Sequence, residues 1–163
     1  MMKRVFIWGL AIDSLTNSPI VILKETDGER RLPIWIGLLE AKAIASELDG
    51  IKYFRPMTHD LFQNIMNVID VKVKKIEVCD LRYNTFYAMI TIDYEGKEIT
   101  IDARPSDAMA LSLRIGAPIF VSEQVFQQAQ EINLSSEAED KSEKGKKWQK
   151  ILEDIDPGDF GNT

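Results

Sequence analysis

Residues 71–115 read VKVKKIEVCDLRYNTFYAMITIDYEGKEITIDARPSDAMALSLRI, and they hold three strands and a helix in succession. Val71–Cys79 alternates apolar with polar residues, as a half-buried strand does. Phe86–Asp93 and Lys97–Ala103 flank Glu95-Gly96, a two-residue turn of the kind that joins antiparallel strands. After Ala103 the period changes. Ala108, Leu111, Ser112 and Ile115 recur at helical spacing and define one apolar face.

The same order stands 67 residues earlier, where Asp13, Asn17, Ile34, Ala41 and Ala43 fall on Asp80, Asn84, Ile101, Ala108 and Ala110. Val5–Ile12 is strand-like, Pro19–Lys24 and Arg30–Ile36 flank Asp27-Gly28, and Ala41, Ile44, Ala45 and Leu48 share a helical face. A further helix opens in each half, at Thr58-His59-Asp60-Leu61-Phe62-Gln63 and at Ser122-Glu123-Gln124-Val125-Phe126-Gln127. The pattern predicts an α+β fold, a duplicated βββαα unit on an antiparallel or mixed sheet, with repeats over about residues 5–66 and 72–130 of one domain, 1–133. From Leu134 the composition turns to Ser, Glu, Asp and Lys, which predicts a charged linker over 134–147. Trp148, Ile151, Leu152 and Ile155 then predict a short C-terminal helix or tail over 148–163.

The chain carries 20 Lys and Arg against 26 Asp and Glu, a formal charge of −6. That composition offers no basic face for gripping nucleic acid by counterion release, so any such contact is expected to be local. Acidic side chains that hold a divalent cation invert the local field and permit phosphodiester chemistry all the same. A single cysteine, Cys79, excludes a disulfide framework and points to a reducing, cytoplasmic setting. The longest apolar run, Val5 to Ile12, is eight residues, too short to span a bilayer, so no membrane partner is expected. It reads as a buried strand, although Lys3 and Arg4 precede it as in a signal peptide.

No P-loop, His-Glu-x-x-His, Cys-x-x-Cys or Gly-x-Ser-x-Gly is present, which removes several enzyme classes. Two Arg-Pro helix starts remain: Arg55-Pro56-Met57-Thr58-His59-Asp60 and Arg104-Pro105-Ser106-Asp107. Each sets an arginine before free backbone N–H groups and a positive dipole end, where phosphate binds readily. Arg55, Thr58, Arg104 and Ser106 are therefore candidate anion ligands. A purely structural reading stands beside it, in which Thr58 and Ser106 cap the helices and Asp60 and Asp107 complement the dipoles. His59, the single histidine, is the candidate acid or base, steadied by its neighbour Asp60, and Asp107 is a further catalytic candidate. Asp102, Asp107 and Glu40 could converge on Mg²⁺ or Mn²⁺, since such ions need few protein carboxylates. Phe86 and Tyr87 alternate across a strand, so one ring is expected in the core and the other free to stack on a base.

Leu32-Pro33-Ile34-Trp35-Ile36-Gly37 with Glu40-Ala41, Arg55-Pro56-Met57-Thr58-His59-Asp60-Leu61, Asn84-Thr85-Phe86-Tyr87-Ala88 and Asp102-Ala103-Arg104-Pro105-Ser106-Asp107-Ala108 together resemble the bifunctional nuclease family, long catalogued as a domain of unknown function. The resemblance covers about residues 3–130 and is nearest to small single-domain bacterial members from thermophiles. Tyr53-Phe54 departs from it, standing where family members often place a proline. The family's name implies cleavage of RNA and DNA, and the resemblance carries no accepted catalytic set. The expectation is a metal-assisted nuclease of low sequence specificity, acting as a homo-oligomer, with a dimer favoured. The rival is a non-catalytic module that captures an anion or a partner's carboxylate.

Overall fold

The computed structural model describes residues 1–137. Strands β1 (Met2–Ile12), β2 (Pro19–Glu25) and β3 (Arg31–Trp35) lead into helices α1 (Leu38–Leu48) and α2 (Thr58–Val68). Strands β4 (Lys72–Arg82), β5 (Thr85–Tyr94) and β6 (Lys97–Ala103) lead into α3 (Pro105–Ile115), β7 (Ile119–Ser122) and α4 (Glu123–Glu137). The fold is α+β. Its seven strands form one mixed sheet in the order β3-β2-β1-β7-β4-β5-β6.

Each three-strand meander is antiparallel, and β7 joins the two, antiparallel to β1 and parallel to β4. The tight turns follow from local chemistry. Tyr83 and Asn84 (φ 49° and 59°) and Glu95 and Gly96 (φ 52° and 76°) take the left-handed conformations that a two-residue hairpin turn requires. Gly116, at φ 78°, ends α3 and returns its N–H to the Ser112 carbonyl.

Register sets one face of the sheet against the helices. Val5, Ile119, Ile76 and Ile90 lie opposite one another across four neighbouring strands, and all are buried. With Val21, Leu23, Leu32, Ile34, Val78 and Val121 they form one core with Ile44 of α1, Met109 of α3 and Phe126 of α4. On the alternate face Phe6, Trp8 and Trp35 stay about half exposed, with the Arg31 guanidinium over the Trp8 ring. No helix among the described residues is long and apolar enough to cross a membrane.

The βββα order recurs in both halves, and α1 and α3 are separated by 67 residues at both ends. The expected βββαα unit, however, describes only the first half. The second inserts β7 before its last helix, because Ile119 and Val121 are needed to fill the gap between β1 and β4. On α1 the expected face is also corrected: Ala41 and Ile44 are buried, while Leu48 is exposed. Residues 134–137 close α4 rather than open a linker. The rest of the expected linker and the expected helix over 148–163 lie outside the described residues.

Candidate functional site

Three helices begin at one place, and each brings a polar side chain in its first turn. β3 runs through Ile36 and Gly37 into α1, which carries Glu40. β6 runs through Arg104 into α3, which carries Asp107. α2 packs chiefly on α3 and carries His59 and Asp60. Gly37 leaves room for this arrangement. A Cβ there would push aside the Glu40 carboxylate, which folds back across the helix start.

Arg104 ties the cluster together. Its Nε and Nη2 donate to Asp107 Oδ2 at 2.9 and 2.8 Å, and its Nη1 donates to Glu40 Oε1 at 3.0 Å. The other Asp107 oxygen lies 3.1 Å from His59 Nε2. A carboxylate can only accept, so Nε2 carries a proton, and in the neutral ring that leaves the lone pair on Nδ1. Asp107 raises the guanidinium's pKa above its ordinary value, with Glu40 adding to the effect. Arg104 is nonetheless 68% exposed, so its outer edge faces water.

Asp60 does not steady His59. It receives Arg114 Nε at 2.7 Å and the Met57 N–H at 3.0 Å. Burial pushes its pKa up, but those two donors outweigh burial and hold it below the usual aspartate range. Arg114 is almost wholly buried and also donates to the carbonyls of Ala43 and Ala110. Asp60 is therefore a bolt between α2 and α3, and Asp107 is the carboxylate that orients the imidazole.

The other sequence candidates separate from this cluster. Thr58 and Ser106 are the first and second residues of their helices rather than caps, which are Met57 and Arg104, and the Ser106 side chain is buried. Arg55 is exposed in the loop before α2, and its side chain forms no hydrogen bond or ion pair among the described residues. Asp102 lies opposite Met89 in the sheet, so strand alternation turns it to the face away from the helices. Tyr87 points to that same face with Arg82 over its ring, whereas Phe86 packs partly buried against the core.

The expected metal trio of Asp102, Asp107 and Glu40 is thus not assembled. Among the described residues no group of three or more His, Cys, Asp or Glu is placed to hold an ion, and Arg104 already engages the two carboxylates that do meet. The donor set as arranged does not fit a divalent metal. With His59 neutral the cluster carries one positive and two negative charges.

The family model for the bifunctional nuclease domain matches residues 21–133, which span every residue of this cluster. An uncharacterized protein of Mycobacterium tuberculosis is 36% identical over 167 residues, covering 99% of this chain and all of the relative. Bifunctional nuclease 1 of Oryza sativa subsp. japonica is 22% identical over 116 residues, covering 69% of this chain and 35% of the rice protein. The domain match over most of the sequence, with a full-length relative at that identity, places the chain in the bifunctional nuclease domain family.

Proposed function

We propose that the chain is a nuclease that hydrolyses phosphodiester bonds of RNA or DNA with little sequence preference, at the junction of α1, α2 and α3. The observation that carries this reading is the run of contacts from His59 through Asp107 to Arg104: an imidazole oriented by a carboxylate beside a guanidinium open to solvent. Membership of a family whose rice relatives are named bifunctional nucleases supports it.

The chemistry follows from the donors left over. Arg104 has five N–H groups and gives three to carboxylates, which leaves two for phosphate oxygens, and the helix N-termini add positive potential. His59 Nδ1 accepts the proton of the attacking water, and an oxygen–phosphorus bond forms as the bond to the leaving oxygen breaks. The leaving oxygen then takes a proton from solvent or from the imidazolium. No step runs through a metal. If the reaction needs Mg²⁺ or Mn²⁺, Glu40, Asp107 and His59 are the residues an ion would draw on after Arg104 let go of its carboxylates.

The test is cleavage of end-labelled RNA and single-stranded DNA, with and without EDTA, by the wild type, His59→Ala, and an Arg104→Ala, Asp107→Ala double variant that controls for contaminating nuclease. Cleavage by the wild type alone supports the proposal, and the EDTA arm decides metal dependence. Equal activity in all three, or none in any with Mg²⁺ and Mn²⁺ supplied, overturns it. Phosphate binding without cleavage would put the non-catalytic anion-binding module in its place.

A further inference from the structure

Helix α2 is apolar on two sides, and among the described residues only one of them is covered. Met66 is buried, and Asp60, His59 and Gln63 reach α3 on the inner side, with the Gln63 amide donating to the Arg114 carbonyl. Turned outward are Met57, Leu61, Phe62, Ile65, Val68 and Ile69, each between 45 and 85% exposed, and Phe54 just before the helix is 99% exposed. A helix with apolar residues on both sides belongs in an interior.

We propose that this outward face of α2 docks against the same face of a second copy of the chain, in a twofold dimer with the two α2 helices antiparallel. The exposed parts of these seven side chains amount to on the order of 800 Å², about what each partner contributes to a standard stable interface and more than the largest patch on a typical monomer. Charge selects the occupant. The chain carries −6 and repels its own kind, yet Met57, Thr58, Leu61, Phe62, Asn64, Ile65, Val68 and Ile69 present no charge at all. A surface without charge is the one through which acidic copies approach at least cost.

Charge also sets the orientation. Arg55 stands just before the helix and Asp70 just after it. Both are exposed, and neither side chain has a hydrogen bond or ion pair among the described residues. Antiparallel pairing about a twofold axis near Phe62 brings the Arg55 end of each copy to the Asp70 end of the other, and it opposes the two helix dipoles. The inner face of α2 holds His59 against Asp107, so the interface and the candidate site are two sides of one helix. The inference is independent of the proposed activity.

Sedimentation velocity on the full chain from about 1 to 100 µM tests it. The wild type should sediment at twice 18.6 kDa. Ile65→Glu should sediment as a monomer with unchanged far-ultraviolet circular dichroism, whereas Trp8→Glu, on the exposed sheet face, should leave the dimer intact. Arg55→Glu should weaken the dimer at least tenfold, and adding Asp70→Arg should restore it, a readout that stands even if Ile65→Glu fails to fold. A wild-type monomer at every concentration overturns the proposal. So does a dimer broken by Trp8→Glu, or one indifferent to both Ile65→Glu and the charge reversal.

Discussion

Asp107 Oδ1 lies 3.1 Å from His59 Nε2 across 48 residues of sequence, while its Oδ2 receives Arg104. One carboxylate thus serves two partners, one oxygen for each, and it fixes the imidazole tautomer and the guanidinium plane together. In the proposed reaction the first sets the base and the second sets the phosphate.

Asp107→Asn keeps the shape but presents an amide NH₂ to one of two donors, so one contact must break. Cleavage of RNA should fall on the order of 100-fold, as it should in His59→Gln, the loss expected when positioned acid–base catalysis is removed. Melting temperatures should stay close to wild type, because the pair is partly exposed. Initial rates beside thermal melts check this, and unchanged rates would leave the pair without a catalytic task.

The bolt between Asp60 and Arg114 predicts a stability effect with a definite pH dependence. Asp60→Ala leaves a buried guanidinium without its carboxylate and should cost about 3 kcal/mol, or roughly 10 °C in Tm for a chain of this size. The folded-state pKa of Asp60 lies below the ordinary 3.8, so its stabilisation is fully present above 3.8 and is lost as pH falls through the depressed value. Urea unfolding between pH 2.5 and 7 should therefore show a smaller acid loss in Asp60→Asn than in the wild type. Parallel pH curves would show that the ion pair contributes nothing.

The reading of Asp60 shows where sequence reasoning stops. Thr58-His59-Asp60 set a carboxylate beside the histidine in the chain, but neighbours in a helix point 100° apart, and the imidazole's partner comes from another helix. The βββα order was legible because alternation and helical spacing are local, and so were the two Arg-Pro helix starts, though not that they meet. Strand β7 was not, since four residues after Pro118 are too few to show a period. Asp102 was misplaced for a related reason: a strand position names its face only once the register is known. Arg114, without which α2 would not be bolted to α3, gave no motif at all, only a basic residue in the last turn of an apolar helix.

Arg30 is a second residue that only the fold reveals. It donates to Glu25 through Nε and Nη2, each at 3.0 Å, and to Glu123 through Nη1 and Nη2 at 2.6 and 3.0 Å, while its guanidinium lies over the Phe126 ring. It thereby joins the β2–β3 hairpin to the start of α4. Arg30→Lys keeps the charge but cannot make two forked contacts at once, so it should lower Tm, and Arg30→Ala should lower it further by setting Glu25 against Glu123. Melts of the two variants check the order. A lysine variant as stable as wild type would mean that only the charge matters there.

Arg104 gives the sharpest test, because one substitution should move two affinities in opposite directions. As an interior arginine it would strand a buried carboxylate on removal and cost ~3–5 kcal/mol. At 68% exposure its pairs are solvent-screened, and Arg104→Ala should cost less than about 1 kcal/mol. Its removal takes the one positive charge out of the cluster and leaves Glu40 and Asp107 facing each other beside His59. Inorganic phosphate should then bind more weakly in Arg104→Ala than in Arg104→Lys, and more weakly in Arg104→Lys than in the wild type, since lysine keeps the charge without the planar fork. Mn²⁺ should bind Arg104→Ala more tightly than wild type, because two carboxylates are freed from the guanidinium. Calorimetric titrations of both ions into the three proteins read this out directly. Unchanged phosphate affinity across the series would remove Arg104 from the site, and unchanged Mn²⁺ affinity would mean that Glu40 and Asp107 do not act as a pair of ligands even when released.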